Sequence, residues 1–115
     1  MEVFFMVNND LPMAIQQFIA TTNVGDTQGF LSLFTATALI DDWGRKFHGP
    51  SGAADWNRTD NMGVNAHFDL VTFAKEKPDE WKVTLKVSGD GYNGTGPLLF
   101  KLADDKIEQL LIIPN

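Results

Sequence analysis

From Glu80 to Ser88 the chain alternates without a break, with Trp81, Val83, Leu85 and Val87 on one face and Lys82, Thr84, Lys86 and Ser88 on the other. A period of two residues cannot make an amphipathic helix. It makes a strand with one face on a core and the other in water, which is the habit of an antiparallel sheet. Such a strand needs neighbours and a covering layer, and the remaining sequence supplies both. Upstream, Phe68, Leu70 and Thr72 alternate with His67, Asp69 and Val71, and Lys77-Pro78-Asp79 marks the intervening turn. Downstream, Leu98, Phe100 and Leu102 form another alternating strand. Ala103-Asp104-Asp105 turns, and Lys106 to Ile113 makes the last strand before Pro114. Gly89 to Gly96 holds four glycines with Asp90, Tyr92 and Asn93. It has neither GxGxxG nor Walker spacing and lies between strands, so it reads as a hairpin loop near a pocket opening and not as a phosphate cradle.

The covering layer comes from the first half. Asp10 in a capping position with Pro12 behind it opens a helix whose apolar stripe carries Leu11, Ala14, Ile15, Phe18 and Ile19, and Asn23-Val24-Gly25 closes it. Asp26 caps a shorter second helix with Phe30, Leu31, Leu33 and Phe34 on its apolar face. A third helix, capped by Ser51, runs through Ala53, Ala54 and Trp56 to Asn61. Its polar end, Arg58 to Asn61, suits a position across an opening better than one inside the core.

Between the second and third helices, Ala38 to Gly49 reads as a hairpin bent at Trp43-Gly44. Alternation sends Asp41 and Asp42 to opposite faces, so only one of them can enter an interior. Asp42 has two readings. It is a general base in a mostly apolar pocket supplied by Phe18, Phe47 and Trp56, or it caps the hairpin turn or pairs with Arg45. Asp41 is expected to be solvated. Trp43 either stacks on a ligand or packs outside, and Trp56 is a pocket wall or part of the core. His48 and His67 are expected at a turn and on the outer sheet face.

Composition removes several function classes. The formal net charge is −6 and no Lys/Arg cluster occurs, which argues against nucleic acid. There are no cysteines and only two, well-separated histidines, so no disulfide framework and no metal site are expected. Met1 to Val7 lacks a basic region and is not read as a signal peptide, and no run approaches the roughly 20 apolar residues that span a bilayer. A cytoplasmic protein with no membrane partner is expected. With 115 residues, of which 43% are hydrophobic, the chain fits one domain, and its nine Phe and three Trp imply either a core built of rings or a cavity lined by them.

The run Asn23 to Phe34, then Ala38 to Gly44, then Phe47-His48-Gly49 with Trp56 downstream, resembles the nuclear transport factor 2-like superfamily, and within it small SnoaL-like and ketosteroid isomerase-like proteins. The likeness runs from Asp10 to Ile113. It implies an α+β, cystatin-like cone, with three N-terminal helices packed on a curved, mostly antiparallel sheet, and one such domain over residues 1–115. It also implies a homodimer formed through the outer sheet face and an apolar pocket between helices and sheet. By this resemblance Asp42 falls where ketosteroid isomerase carries its general base. That enzyme also uses a tyrosine and a protonated aspartate as oxyanion donors. Here Phe18 stands at the tyrosine position, and Thr95 to Leu98 offers no carboxyl group.

The expected ligand-contacting set is Phe18, Phe34, Phe47, Trp56, Asp60 and Leu85, with Asp42 as the catalytic candidate and no cofactor. Three functions follow: binding of a small apolar or amphipathic molecule; a cofactor-independent isomerase, cyclase or dehydratase reaction with Asp42 as base; or a non-catalytic interaction module whose pocket its own side chains fill.

Overall fold

The computed structural model describes residues 10–114. The reading of Met1 to Val7 lies outside them. Two helices come first, α1 (Met13–Val24) and α2 (Thr27–Leu31). The hairpin β1 (Phe34–Asp42) and β2 (Arg45–His48) follows, then α3 (Gly49–Asp60) and a single 3-10 turn (Met62–Val64). Strands β3 (His67–Lys77), β4 (Glu80–Ser88), β5 (Gly94–Ala103) and β6 (Lys106–Ile112) complete the described chain. The architecture is α+β, an open sheet with helices on one face. The three helices are not contiguous, because α3 follows the first hairpin.

Several boundaries differ from the sequence reading for physical reasons. α1 begins at Met13 with Pro12 in the N-cap position and no side-chain cap bond, so Asp10 does not cap it. Gly25 ends it with φ 72°, a left-handed conformation that favours glycine. Asp26 does cap α2, accepting from the Gly29 N–H at 3.0 Å. That helix stops at Leu31, however. Phe34 opens β1, and Thr35 to Thr37 are strand and not connector. α3 starts at Gly49, two residues before the expected cap Ser51, because Pro50 fits its first turn. β5 takes in Gly94 to Gly96, which shortens the expected loop.

The sheet order is β2-β1-β6-β5-β4-β3. The β3 to β6 segment is an antiparallel meander, and β1 joins it through a parallel pairing with β6, Ile40 opposite Leu110 and Asp42 opposite Ile112. One parallel pair therefore closes an otherwise antiparallel sheet. On the core face, Ile40, Val83, Leu85, Phe100 and Leu110 are all buried. Against them α1 presents Ile15 and Phe18, both fully buried as the helical period requires. Phe18 is the hub of an aromatic cluster, with ring centroids 5.5 Å from Phe30, 5.4 Å from Phe68, 5.1 Å from Phe100 and 6.3 Å from Trp56. Asn23 fastens the end of α1 to the start of β3, donating to the Phe68 carbonyl at 2.9 Å and accepting the Phe68 N–H at 2.8 Å.

Candidate functional site

Beyond the aromatic cluster, at the end of the sheet where β3 begins and β4 ends, lies a cavity of about 390 Å³. Its apolar wall includes Trp56, Val64, Phe68, Val87, Leu98 and Ile112, and Trp43 and Tyr92 stand at it as exposed rings. Its polar wall is formed by Asp42, Arg45, Thr59, Asp60 and Asn61.

Asp42 is brought there by the turn that follows it. Trp43 (φ 54°) and Gly44 (φ 88°) form a two-residue reversal with both φ values positive, the geometry that suits a tight antiparallel hairpin. Asp41, not Asp42, caps this turn, accepting the Gly44 N–H at 2.9 Å. Its side chain is therefore used locally and is not simply solvated. Asp42 turns the other way and does pair with Arg45. Its Oδ2 accepts from the Trp56 indole N–H at 2.9 Å and from Arg45 Nη2 at 3.0 Å. Both bonds fall on Oδ2, and the side chain is 16% exposed.

Asp60, in the last turn of α3, meets the same guanidinium. Arg45 Nη2 donates to its Oδ1 at 2.7 Å and Nη1 to its Oδ2 at 3.4 Å, and the Thr59 hydroxyl donates to Oδ2 at 2.6 Å. Burial pushes the Asp60 carboxyl upward, but the bonds from Arg45 and Thr59 and the guanidinium's charge outweigh it, so the group lies below the ordinary carboxylate value. Arg45 responds in the opposite sense and is held more firmly protonated, chiefly by its bond to Asp60. One cation thus joins the end of β1 to the end of α3 at the cavity.

Asn61 lies beside this group with no exposed surface. Its Nδ2 donates to Thr22 Oγ1 at 3.0 Å and to Asn57 Oδ1 at 2.9 Å. Asn57 Oδ1 also faces the Met62 N–H, which marks it as the acceptor and fixes the amide direction of Asn61. Asn61 Oδ1 is left buried without a partner.

Of the residues expected from sequence, Asp42, Trp56 and Asp60 line this cavity. Phe18, Phe34 and Leu85 do not. They are buried in the core beneath it, since Leu85 sits one inward step short of Val87 along β4 and Phe34 packs on Phe30 at 5.1 Å. Phe47 is not in the wall either, because it packs on the core with Arg45 above its ring, 5.6 Å from the centroid. The sequence reading passed over Val64, Val87, Leu98 and Ile112. Val64, Val87 and Ile112 carried a positional signal, each at or next to the end of its element, whereas Leu98 lies in the middle of β5 and carried none. His48 and His67 are exposed and away from the cavity. Among the described residues no group of three or more potential ligands could hold a metal, and no helix is long and apolar enough to cross a membrane.

No family model matches this sequence, and no curated protein matches it. Solved structures do. A candidate polyketide cyclase from Sinorhizobium meliloti superposes with a TM-score of 0.80 at 22% identity, covering 89% of this chain and 94% of that one. The Delta 5-3-ketosteroid isomerase of Mycobacterium sp. gives a TM-score of 0.76 at 19% identity, covering 89% and 90%. A Mycobacterium tuberculosis protein in complex with estradiol-17beta-hemisuccinate gives 0.73 at 18% identity, covering 90% and 92%. At these identities the likeness is one of fold, and on it this chain has the nuclear transport factor 2-like fold.

Proposed function

We propose that this protein is a small-molecule-binding domain of the SnoaL-like type, residues 1–115 forming one such unit, with Asp42 as the polar group that orients an apolar or amphipathic ligand. The observation that carries this reading is the cavity of about 390 Å³, apolar over most of its wall and polar along one side. Its volume lies in the range of small-molecule sites. The steroid derivative held by one fold neighbour supports the same use of the space. The resemblance implies that Phe18 stands where the isomerase carries its tyrosine, and the ring is fully buried and outside the cavity wall, so binding is favoured over isomerase chemistry.

The test is calorimetric titration with neutral probes of graded size: cyclohexanol, 2-naphthalenemethanol and estradiol. At least one binds saturably and with one-to-one stoichiometry, and Val64→Trp, which fills the cavity from its wall, removes that binding while circular dichroism stays native. Saturable binding by none of the three, or equal binding by Val64→Trp, overturns the reading.

The proposed partner for the outer sheet face is a second copy of the chain. Leu39, Leu99 and Leu111 alternate with the core-facing Ile40, Leu98, Phe100 and Leu110, which leaves leucines on the surface opposite the helices. Sedimentation velocity at micromolar concentration gives the mass of two chains. A single-chain mass removes the proposal.

A further inference from the structure

The polar wall also points to the chemical class of the ligand. A single nitrogen, Arg45 Nη2, lies 3.0 Å from Asp42 Oδ2 and 2.7 Å from Asp60 Oδ1, so carboxylates from two different elements converge on one donor position. The side chain that supplies this donor is 56% exposed, whereas the two carboxylate side chains are 16% and 24% exposed. The cation is the movable partner and the anions are the fixed ones.

We propose that the cavity takes an organic ammonium, an apolar or aromatic body bearing one amine, whose nitrogen occupies the position that Arg45 Nη2 now fills. This rests on the small-molecule-binding reading above. The charged residues lining the cavity are Asp42, Asp60 and Arg45, which leaves one negative charge in excess. Such an excess favours a cation and repels an anion. The cavity wall also carries the exposed rings of Trp43 and Tyr92, 6.4 Å apart and steeply inclined, and the buried ring of Trp56, whose indole N–H bonds Asp42. Ring faces attract an ammonium and also stack on an apolar body. When the ligand enters, its N–H groups replace those of Arg45 on Asp42 and Asp60, and the guanidinium moves out into water. No bond is formed or broken other than these hydrogen bonds.

Three probes that share one body test this: 2-naphthylmethylamine, 2-naphthalenemethanol and 2-naphthoic acid, titrated by calorimetry at neutral pH and low salt. The amine binds about tenfold more tightly than the alcohol, and the acid binds most weakly. Arg45→Met vacates the nitrogen position, so the ratio of amine to alcohol affinity rises about fivefold. Asp60→Asn lowers that ratio about tenfold. Tightest binding by the acid, or a lowered ratio in Arg45→Met, overturns the proposal by making Arg45 an anion site. Equal affinities of amine and alcohol in the wild type also overturn it while leaving small-molecule binding intact. Binding by none of the three overturns both.

Discussion

Trp56 belongs to two environments at once. Its ring stacks on Phe18 and Phe30 at 6.3 Å and 6.2 Å, while its indole N–H reaches 2.9 Å to Asp42 at the cavity. Trp56→Phe keeps most of the stacking and removes a hydrogen bond to a charged group, so urea unfolding registers a loss of about 1.5 kcal/mol, with Arg45 still holding the carboxylate. Phe18 makes the complementary case. Tyr in its place would add a hydroxyl among four rings, in a site with no exposed surface, and costs about 1–3 kcal/mol by the same measurement. A stability at or above wild type for Phe18→Tyr would mean that the hydroxyl reaches a partner. Residue roles were legible in sequence where a backbone period fixes direction. Asp42 faces the cavity and Ile15 the core because strands and helices have fixed repeats. Whether Asp41 or Asp42 caps the turn depends on the two positive φ values at Trp43 and Gly44, and no pattern of side chains declares those.

At the scale of elements, the cavity depends on how α3 is held at its exit. The 3-10 turn after it passes so close that a Cβ on Gly63 would overlap the Arg58 carbonyl oxygen. Gly63→Ala therefore forces the turn away from α3 and is expected to cost about 3 kcal/mol in denaturant unfolding, a large value for adding one methyl group. The start of α3 is tied to β2 by chain connection, and its end is tied back to β2 through Asp60 and Arg45. Because the Asp60 carboxyl is lower when folded than when unfolded, its stabilising share is complete above about pH 4 and is lost as pH falls through the depressed folded value. The stability gap between wild type and Asp60→Asn should thus close in strong acid. A gap that persists there would assign the effect to packing. The strands from β3 to β6 were readable because alternation and tight turns are local signals. The parallel joining of β1 to β6 was not, since it pairs segments about seventy positions apart and leaves no local trace. Nor was the reassignment of Phe34 from helix to strand, where an apolar residue satisfies either period.

The molecule as a whole is divided along its sheet. At one end, the β3–β4 hairpin closes on Phe73 and Trp81, whose rings lie 6.0 Å apart, and the aromatic cluster fills the middle. At the other end, where Phe68 pairs with Val87, the packing gives way to the cavity, and the segments around it are a turn, a 3-10 turn and the loop at 89–93. Such segments open at low free energy, whereas central strands open only with the whole domain. A ligand in the cavity bridges them without touching the hairpin end. Saturating 2-naphthylmethylamine should then stabilise the folded state by about 2.7 kcal/mol at a hundredfold excess over its dissociation constant, seen as a rise in Tm. Hydrogen exchange would divide the gain unevenly: amides from Trp43 to Arg45, from Asn61 to Ala66 and around Tyr92 slow by up to the full factor, because the local openings that expose them also release the ligand, whereas those from Phe73 to Trp81 slow only where they exchange through global unfolding. Protection confined to the hairpin end would place the ligand away from the cavity, because Phe73 to Trp81 lie at the opposite ends of β3 and β4 from the lining residues Phe68 and Val87.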